Sequence, residues 1–199
     1  MKKLYSLLCA TMLVLASCTD DQNDEYEALT AKNFQVEETY EAISGKSVQT
    51  CATSKIIANE TINAGKIIVE TDGTNLIVTY KVDIEWQLDN TNLYLGDIDD
   101  VPTHSNGTPR TRSFPYRAWH SSRTNKVVYT IPLDDIDLDC FAILGHAIVT
   151  KYDKRGNAIY CTNSWVKGKK FSSNSWAMRS TLCKSGCTST TDGPVIQSR

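Results

Sequence analysis

After its first sixteen residues this 199-residue chain has no long apolar run. Nothing later approaches the roughly 20 residues that cross a bilayer as a helix. Helical periodicity is missing too: no stretch of about ten residues or more places apolar side chains at i, i+3, i+4 and i+7. Neither sign of charge dominates, and the formal net charge of −2 gives no global argument for nucleic-acid binding. His104, His120 and His146 are scattered, with no His-Glu-x-x-His pair for zinc. There is no Gly-x-Ser-x-Gly elbow, and Gly45-Lys46-Ser47 lacks the upstream glycine of a phosphate loop. No internal repeat is visible. These absences remove the linear signatures of zinc hydrolysis, serine hydrolysis and nucleotide chemistry. Two carboxylates far apart in sequence, as a glycosidase uses, would leave no such trace, and that reading stays open.

What is present begins with an address. Met1-Lys2-Lys3 is positive, and residues 4–16 form an apolar stretch of about 13, the length of a secretory h-region and too short to span a membrane comfortably. The stretch shows no polar face, which argues against a buried N-terminal helix. It ends in Leu15-Ala16-Ser17-Cys18, which resembles a bacterial lipobox. The resemblance implies a signal peptide over residues 1–17, cleavage before Cys18 and a covalent lipid on Cys18. Ordinary signal cleavage to a soluble protein is the alternative. Two or more acyl chains anchor stably where one is marginal. Asp20 and Asp21 follow the anchor at once. They resemble the acidic export signal of Bacteroidetes surface lipoproteins, which implies an outer-membrane protein facing the cell exterior. The alternative for this run is a solvated acidic linker. Cleavage removes Lys2 and Lys3 and no acid, so the mature charge becomes −4.

Residues 18–45 read as lipid anchor and flexible tether, with some order from Phe34 to Ile43. Residues 46–187 read as the folded domain, and residues 188–199, rich in Ser and Thr, as a frayed tail. Strand signals fill the domain. Over residues 76–86, Val78, Tyr80, Val82, Ile84 and Trp86 alternate with polar positions, predicting one half-buried strand. Residues 66–70 with the turn Asp72-Gly73 predict a hairpin into it. Residues 126–131 form a strand stopped by Pro132. Residues 140–152 are apolar enough for a strand buried on both faces, and residues 158–166 return antiparallel after a turn at 153–157. Residues 176–182 form a last strand. The expected fold is an all-β antiparallel sandwich or jelly roll in one domain.

Several segments in order resemble a domain that recurs in secreted and surface Bacteroidetes proteins. They include Ile62-Asn63-Ala64-Gly65, Trp86-Gln87-Leu88, Phe114-Pro115-Tyr116, Gly145-His146-Ala147 and Ser164-Trp165-Val166. Where that family has Glu-Thr-His, this chain has Asn90-Thr91-Asn92. The resemblance covers roughly residues 60–183. It implies a β-sandwich and a surface location, and it brings no catalytic residue.

Seven cysteines then sort by fate. Cys9 leaves with the signal peptide and Cys18 takes lipid. Cys51, Cys140, Cys161, Cys183 and Cys187 remain as disulfide candidates, because export favours bridges over zinc. Five allow at most two bridges, with the connectivity open. Cys140 and Cys161 bracket one hairpin, and Cys183 and Cys187 lie close together.

Other chemistry is sparse. Asp97, Asp99 and Asp100 are weak calcium candidates in one loop, and Asp135, Asp137 and Asp139 alternate as on the solvated face of a strand. Ser164-x-x-Lys167 is better explained by packing, and His146 by a hydrogen-bonded place in the core. The charge pattern is more informative. Residues 101–133 contain no acid and carry Arg110, Arg112, Arg117, Arg123 and Lys126, with Tyr116 and Trp119 between them. Planar guanidinium and aromatic faces suit sugars and anionic groups. The stretch is a candidate binding surface for an acidic glycan, a lipopolysaccharide phosphate or a partner protein. The plainer reading is a solvated loop paired to its acidic neighbours. The expected molecule is a lipid-anchored surface binding or structural module, with glycan or host-surface adhesion foremost. An accessory protein-binding part of an outer-membrane assembly and an unrecognised hydrolase are the alternatives. No cofactor is implied beyond the covalent lipid. Replacing Cys18→Ser is expected to abolish the lipid mass increment and move the protein from the membrane to the soluble fraction. Unchanged membrane retention would contradict the anchor.

Overall fold

The structure, a computed structural model, describes residues 33–38 and 48–187. Cys18, Asp20, Asp21 and residues 188–199 lie outside the described residues. No described residue is in an α-helix, and eleven strands account for the fold. In chain order they are β1 (Gln35–Glu38), β2 (Gln49–Ala58), β3 (Ile62–Thr71), β4 (Asn75–Val82), β5 (Trp86–Gly96), β6 (Tyr116–Trp119), β7 (Lys126–Pro132), β8 (Cys140–Tyr152), β9 (Ala158–Val166), β10 (Lys169–Lys170) and β11 (Met178–Cys183). All pairings are antiparallel. The expected all-β antiparallel class is the one observed.

The sheet runs β1-β7-β4-β3-β2-β9-β8. On one edge β8 pairs with β9 and β11; on the other it pairs with β5, which pairs in turn with β6. The whole curls almost into a closed barrel, broadly consistent with a β-sandwich. Curvature follows from the twist of long strands and from bulges. Register shifts occur in β2 against β3, in β8 against β9, and between Leu88 and Asn90 of β5.

One apolar cluster fills the interior, with Ile56, Ile67, Val78, Tyr80, Leu88, Tyr116, Tyr129 and Val149 almost wholly buried. The Tyr80 hydroxyl crosses this core to donate to the Asn92 carbonyl at 3.1 Å, so a large apolar side chain is buried without orphaning its polar tip. A second cluster lies on the outer face of β5, β8 and β9. It is built from Tyr94, Leu144, Trp165 and Ala177, with Phe114 supplied by the loop after β5. That loop is therefore packed down at Val101, Pro109 and Phe114, while residues 103–106 and Arg110 remain exposed. It is pinned by the Arg110 amide on the Pro102 carbonyl and the His104 amide on the Thr108 carbonyl.

Two expectations are corrected. The strand expected over residues 76–86 is two: β4 ends at Val82, the chain turns at residues 83–85, and Trp86 opens β5. Ile84 is 92% exposed there instead of sharing the buried face. A turn can preserve an alternating pattern of residue types, so period alone cannot see the reversal. The order expected from Phe34 within the tether is present over the described residues, where Gln35–Glu38 pairs with β7 and Phe34 packs on the core. Finally, Asp135 ends a short 3-10 turn and Asp137 and Asp139 follow in a loop, not on a strand face.

Among the described residues two disulfides are seen, joining Cys51 to Cys187 and Cys140 to Cys183. Cys140 and Cys183 face each other in register across β8 and β11. Cys161 is disulfide-bonded as well, outside these two bridges. The cysteines bracketing the β8–β9 hairpin are thus not partners, and each bridge instead spans more chain, 136 and 43 residues. Longer closed loops constrain the unfolded chain more.

Gly65 has φ +156 at a register shift between β2 and β3. A Cβ there would stand 2.2 Å from the Lys81 carbonyl oxygen, which is backbone and cannot yield cheaply. Gly65→Ala is expected to destabilise the domain by about 3 kcal/mol or more. Urea unfolding would measure this, and a loss below about 1 kcal/mol would contradict the close approach.

Candidate functional site

The described residues bring two polar constellations together, one closing the barrel and one covering its outer face. The first is built from β1 and the segment after β6. The Glu38 carboxylate accepts hydrogen bonds from the Ser121 amide at 3.1 Å, the Ser121 hydroxyl, the Thr124 hydroxyl at 2.9 Å and His120 Nδ1 at 3.1 Å. His120 Nε2 accepts from the Thr91 hydroxyl at 2.7 Å, and Thr91 Oγ1 lies 2.6 Å from the Tyr129 hydroxyl. The His120 side chain is wholly enclosed. Phe34 stacks edge-on against Tyr116 at 5.3 Å beside this network. These contacts connect the two ends of the sheet order, β1 and β6.

Hydroxyl, imidazole and carboxylate in this order have the connectivity of an acyl-transfer relay. Thr91 is 0% exposed, however, and its hydroxyl is shared with Tyr129. No substrate carbonyl reaches it, so the network holds the seam instead of attacking a substrate.

Its titration follows from burial and hydrogen bonding. Partial burial pushes the Glu38 carboxyl up, but the bonds from Ser121, Thr124 and His120 more than reverse this and leave it at about 2, against an ordinary 4.5. Burial lowers His120 below its ordinary 6.5, although Glu38 and Asp89 pull the other way. The imidazole is therefore held neutral in the fold.

The second constellation lies outside the barrel. Strand alternation sends Thr91, Ala147 and Ser164 inward, all almost wholly buried, and leaves the intervening residues facing out. One outward row is Trp119, Asn90, Ile148 and Asn163, and the next is Arg117, Asn92, His146 and Trp165. The Asn92 amide donates to Asn90 Oδ1 at 2.6 Å and to His146 Nδ1 at 3.1 Å. His146 Nε2 then donates to Asn163 Oδ1 at 3.0 Å. The imidazole also packs on Trp165 with ring centroids 4.9 Å apart. His146 is thus the buried, hydrogen-bonded histidine its apolar strand predicts. Ser164 likewise packs, donating to the Ala147 carbonyl at 2.9 Å.

At the bulge of β5, Asp89 joins the outward face. Its two oxygens accept from the Gln87 amide at 2.6 Å and the Thr150 hydroxyl at 2.7 Å. Burial raises the Asp89 carboxyl, partly offset by those two bonds and by His120. The Cys161 sulfur lies 4.0 Å from one of the oxygens.

The residues singled out from sequence scatter. Trp119 stands out on β6, 68% exposed. Tyr116, expected beside it as a ligand contact, is 0% exposed and belongs to the interior cluster. Alternation along β6 turns it inward, and burial, with help from Asp135, pushes its hydroxyl up to about 12. Arg117 donates to the Arg112 carbonyl, and the Arg123 guanidinium sits 4.5 Å over the Tyr152 ring and donates to the Gly156 carbonyl. Arg110 is exposed at the end of the loop hairpin. Asp97 uses a carboxylate oxygen to accept the Asp99 amide, and among the described residues no group of three or more His, Cys, Asp or Glu is placed to hold a metal ion.

Sequence reasoning missed Glu38, Asp89, Asn90, Asn92 and Asn163. A usable signal was the unbroken polar run from Asp89 to Asn92 inside a long strand, where polar groups must find partners. Compared with protein-family models, curated proteins and solved structures, the chain finds no match.

Glu38 has a folded pKa below its unfolded value, so its contribution to stability is full above about pH 4.5 and fades towards pH 2. His120, also lowered, adds a loss that begins as pH falls through 6.5. Urea midpoints are expected to fall between pH 6 and pH 3. In Glu38→Gln the midpoint is expected to be lower at pH 6 and flatter below pH 4.5. A variant with the wild-type slope would refute the seam.

Proposed function

We propose that this chain is a lipid-anchored binding module on the outer face of an outer membrane, and that its ligand is a glycan. One observation carries the ligand class: Trp119 presents an indole that is 68% exposed, at the β6 end of a row that continues through Asn90, Ile148 and Asn163. A large aromatic left in water costs free energy unless something covers it. The apolar C–H face of a sugar ring covers an indole while its hydroxyls reach neighbouring amides and carboxyls. The enclosed Thr91 favours binding over hydrolysis as the task of this domain.

The address rests on residues 1–21. The lipobox ending in Cys18 supplies the anchor, Asp20 and Asp21 supply the export signal, and the segment beyond them leads to β1. The disulfides Cys51–Cys187 and Cys140–Cys183 accord with an oxidising compartment. The membrane partner is then reached through lipid, and no nucleic acid is a partner.

Trp119→Ala is expected to reduce retention on a glycan array by at least about tenfold while leaving the unfolding midpoint unchanged. Full retention by the variant, or retention of protein ligands alone by the wild type, would overturn the glycan reading.

A further inference from the structure

The geometry points to a narrower ligand: we infer that the outer face of β5, β6, β8 and β9 is a platform for a neutral oligosaccharide, bound by Trp119, Asn163 and Asp89. This rests on the glycan reading above and specifies its chemistry.

Asn163 is a donor fixed in advance. Its Oδ1 accepts from His146 Nε2, and His146 is itself oriented by the Asn92 amide on Nδ1. The chain of bonds settles the imidazole tautomer and with it the direction of the Asn163 amide. Asn163 is exposed, and its Nδ2 makes no hydrogen bond among the described residues. Buried behind it, Asn92 and His146 are 3% and 5% exposed, so the ordering is done by groups a ligand does not displace.

Asp89 is the matching acceptor. Each carboxylate oxygen takes one bond from inside the protein, one from Gln87 and one from Thr150, and each oxygen has capacity for another. The bulge in β5 brings this side chain to the outward face beside Asn90, whose register partner on β6 is Trp119. Trp119, Asn90, Ile148 and Asn163 lie in one row across four strands. Three interstrand steps of about 4.8 Å separate the ends by about 14 Å, longer than a single sugar ring.

The acceptor on this face favours a neutral ligand: the Asp89 carboxyl does not welcome an anion, and Arg117 and Arg123 each commit a guanidinium donor to a protein carbonyl, that of Arg112 and that of Gly156. A neutral polyol needs both a donor and an acceptor at a spacing, plus an apolar surface for its ring. Asn163, Asp89 and Trp119 supply these three.

The test uses the purified, disulfide-intact protein on an array of neutral oligosaccharides and of sialylated, uronic and sulphated ones, followed by calorimetry with the strongest neutral ligand. Neutral glycans are the expected hits. Asn163→Ala is expected to weaken binding about fivefold and Trp119→Ala more than tenfold. Asn163→Asp keeps an oxygen for His146 but removes the donor, so it should bind as weakly as Asn163→Ala. A purely structural role would leave it near wild type and overturn the inference. Hits confined to acidic glycans, lost in Arg110→Ala or Arg112→Ala and kept in Asn163→Ala, would overturn the platform and leave the glycan reading standing. No retained glycan of either kind would overturn both. Asn163→Ala leaves the buried His146 Nε2 without its acceptor and is expected to lower the melting midpoint somewhat. Asn163→Asp keeps an acceptor there and is expected to melt closer to the wild type. All variants are titrated well below their midpoints, which keeps loss of binding distinct from loss of fold.

Discussion

The carboxylate of Glu38 joins the two ends of the sheet. β1 is the first strand in the lateral order and β6 the last, and no backbone ladder links them. Four donors from His120, Ser121 and Thr124 converge on one side chain of β1. Phe34 adds an aromatic contact to Tyr116 across the same gap. An open sheet of this length would leave two edges able to pair with other chains. Side-chain closure covers part of that liability, and it encloses Tyr129, Thr91 and His120 in the interior. It also fixes the backbone directly after Trp119. The outward indole therefore stands on a strand whose next two residues are held from across the seam.

Strand β5 shows how one segment serves two environments. Thr91 points inward to a histidine and a tyrosine, while Asn90 and Asn92 point outward into the amide ladder. The bulge at Asp89 breaks the strict two-residue period and places a third polar group outside. Buried amides are costly unless each hydrogen-bonding group is matched. Here they are matched to one another, which orders Asn163 at the rim. A donor and an acceptor at the rim are thereby held in place, which under the proposed glycan reading would lower the ordering entropy of binding.

Much of the fold was legible from residue patterns. Strands β8 and β9 fall where the apolar run and its return predict, because continuous branched residues on a buried strand leave little ambiguity. The Asp72-Gly73 turn was legible because Asp72 accepts the amides of Thr74 and Asn75, a local chemistry independent of the fold. The corner at residues 83–85 was not, since alternation survives a reversal of direction. β1 was hidden because a short polar strand has no pattern of its own and is fixed by what it pairs with. The site was half legible. Trp119 drew notice by type, but Tyr116 two strand positions before Ala118 faces the core, and only knowing where β6 begins separates them. The amide ladder joins residues up to 73 positions apart, from Asn90 to Asn163, and only register brings them together. The cysteine pairing likewise needed topology, because β11 returns to β8 and places Cys183 opposite Cys140.

The proposed glycan platform is the outward face of β5, β6, β8 and β9. Amide and indole resonances followed by NMR during titration with a neutral oligosaccharide mixture test it most directly. The account predicts that the Trp119 indole N–H, the Asn163 side-chain amide and the Asp89 backbone amide move together with one saturation curve, while the loop over residues 102–110 stays still. Shifts confined to that loop, or no shifts on the four-strand face at saturating sugar, would contradict it.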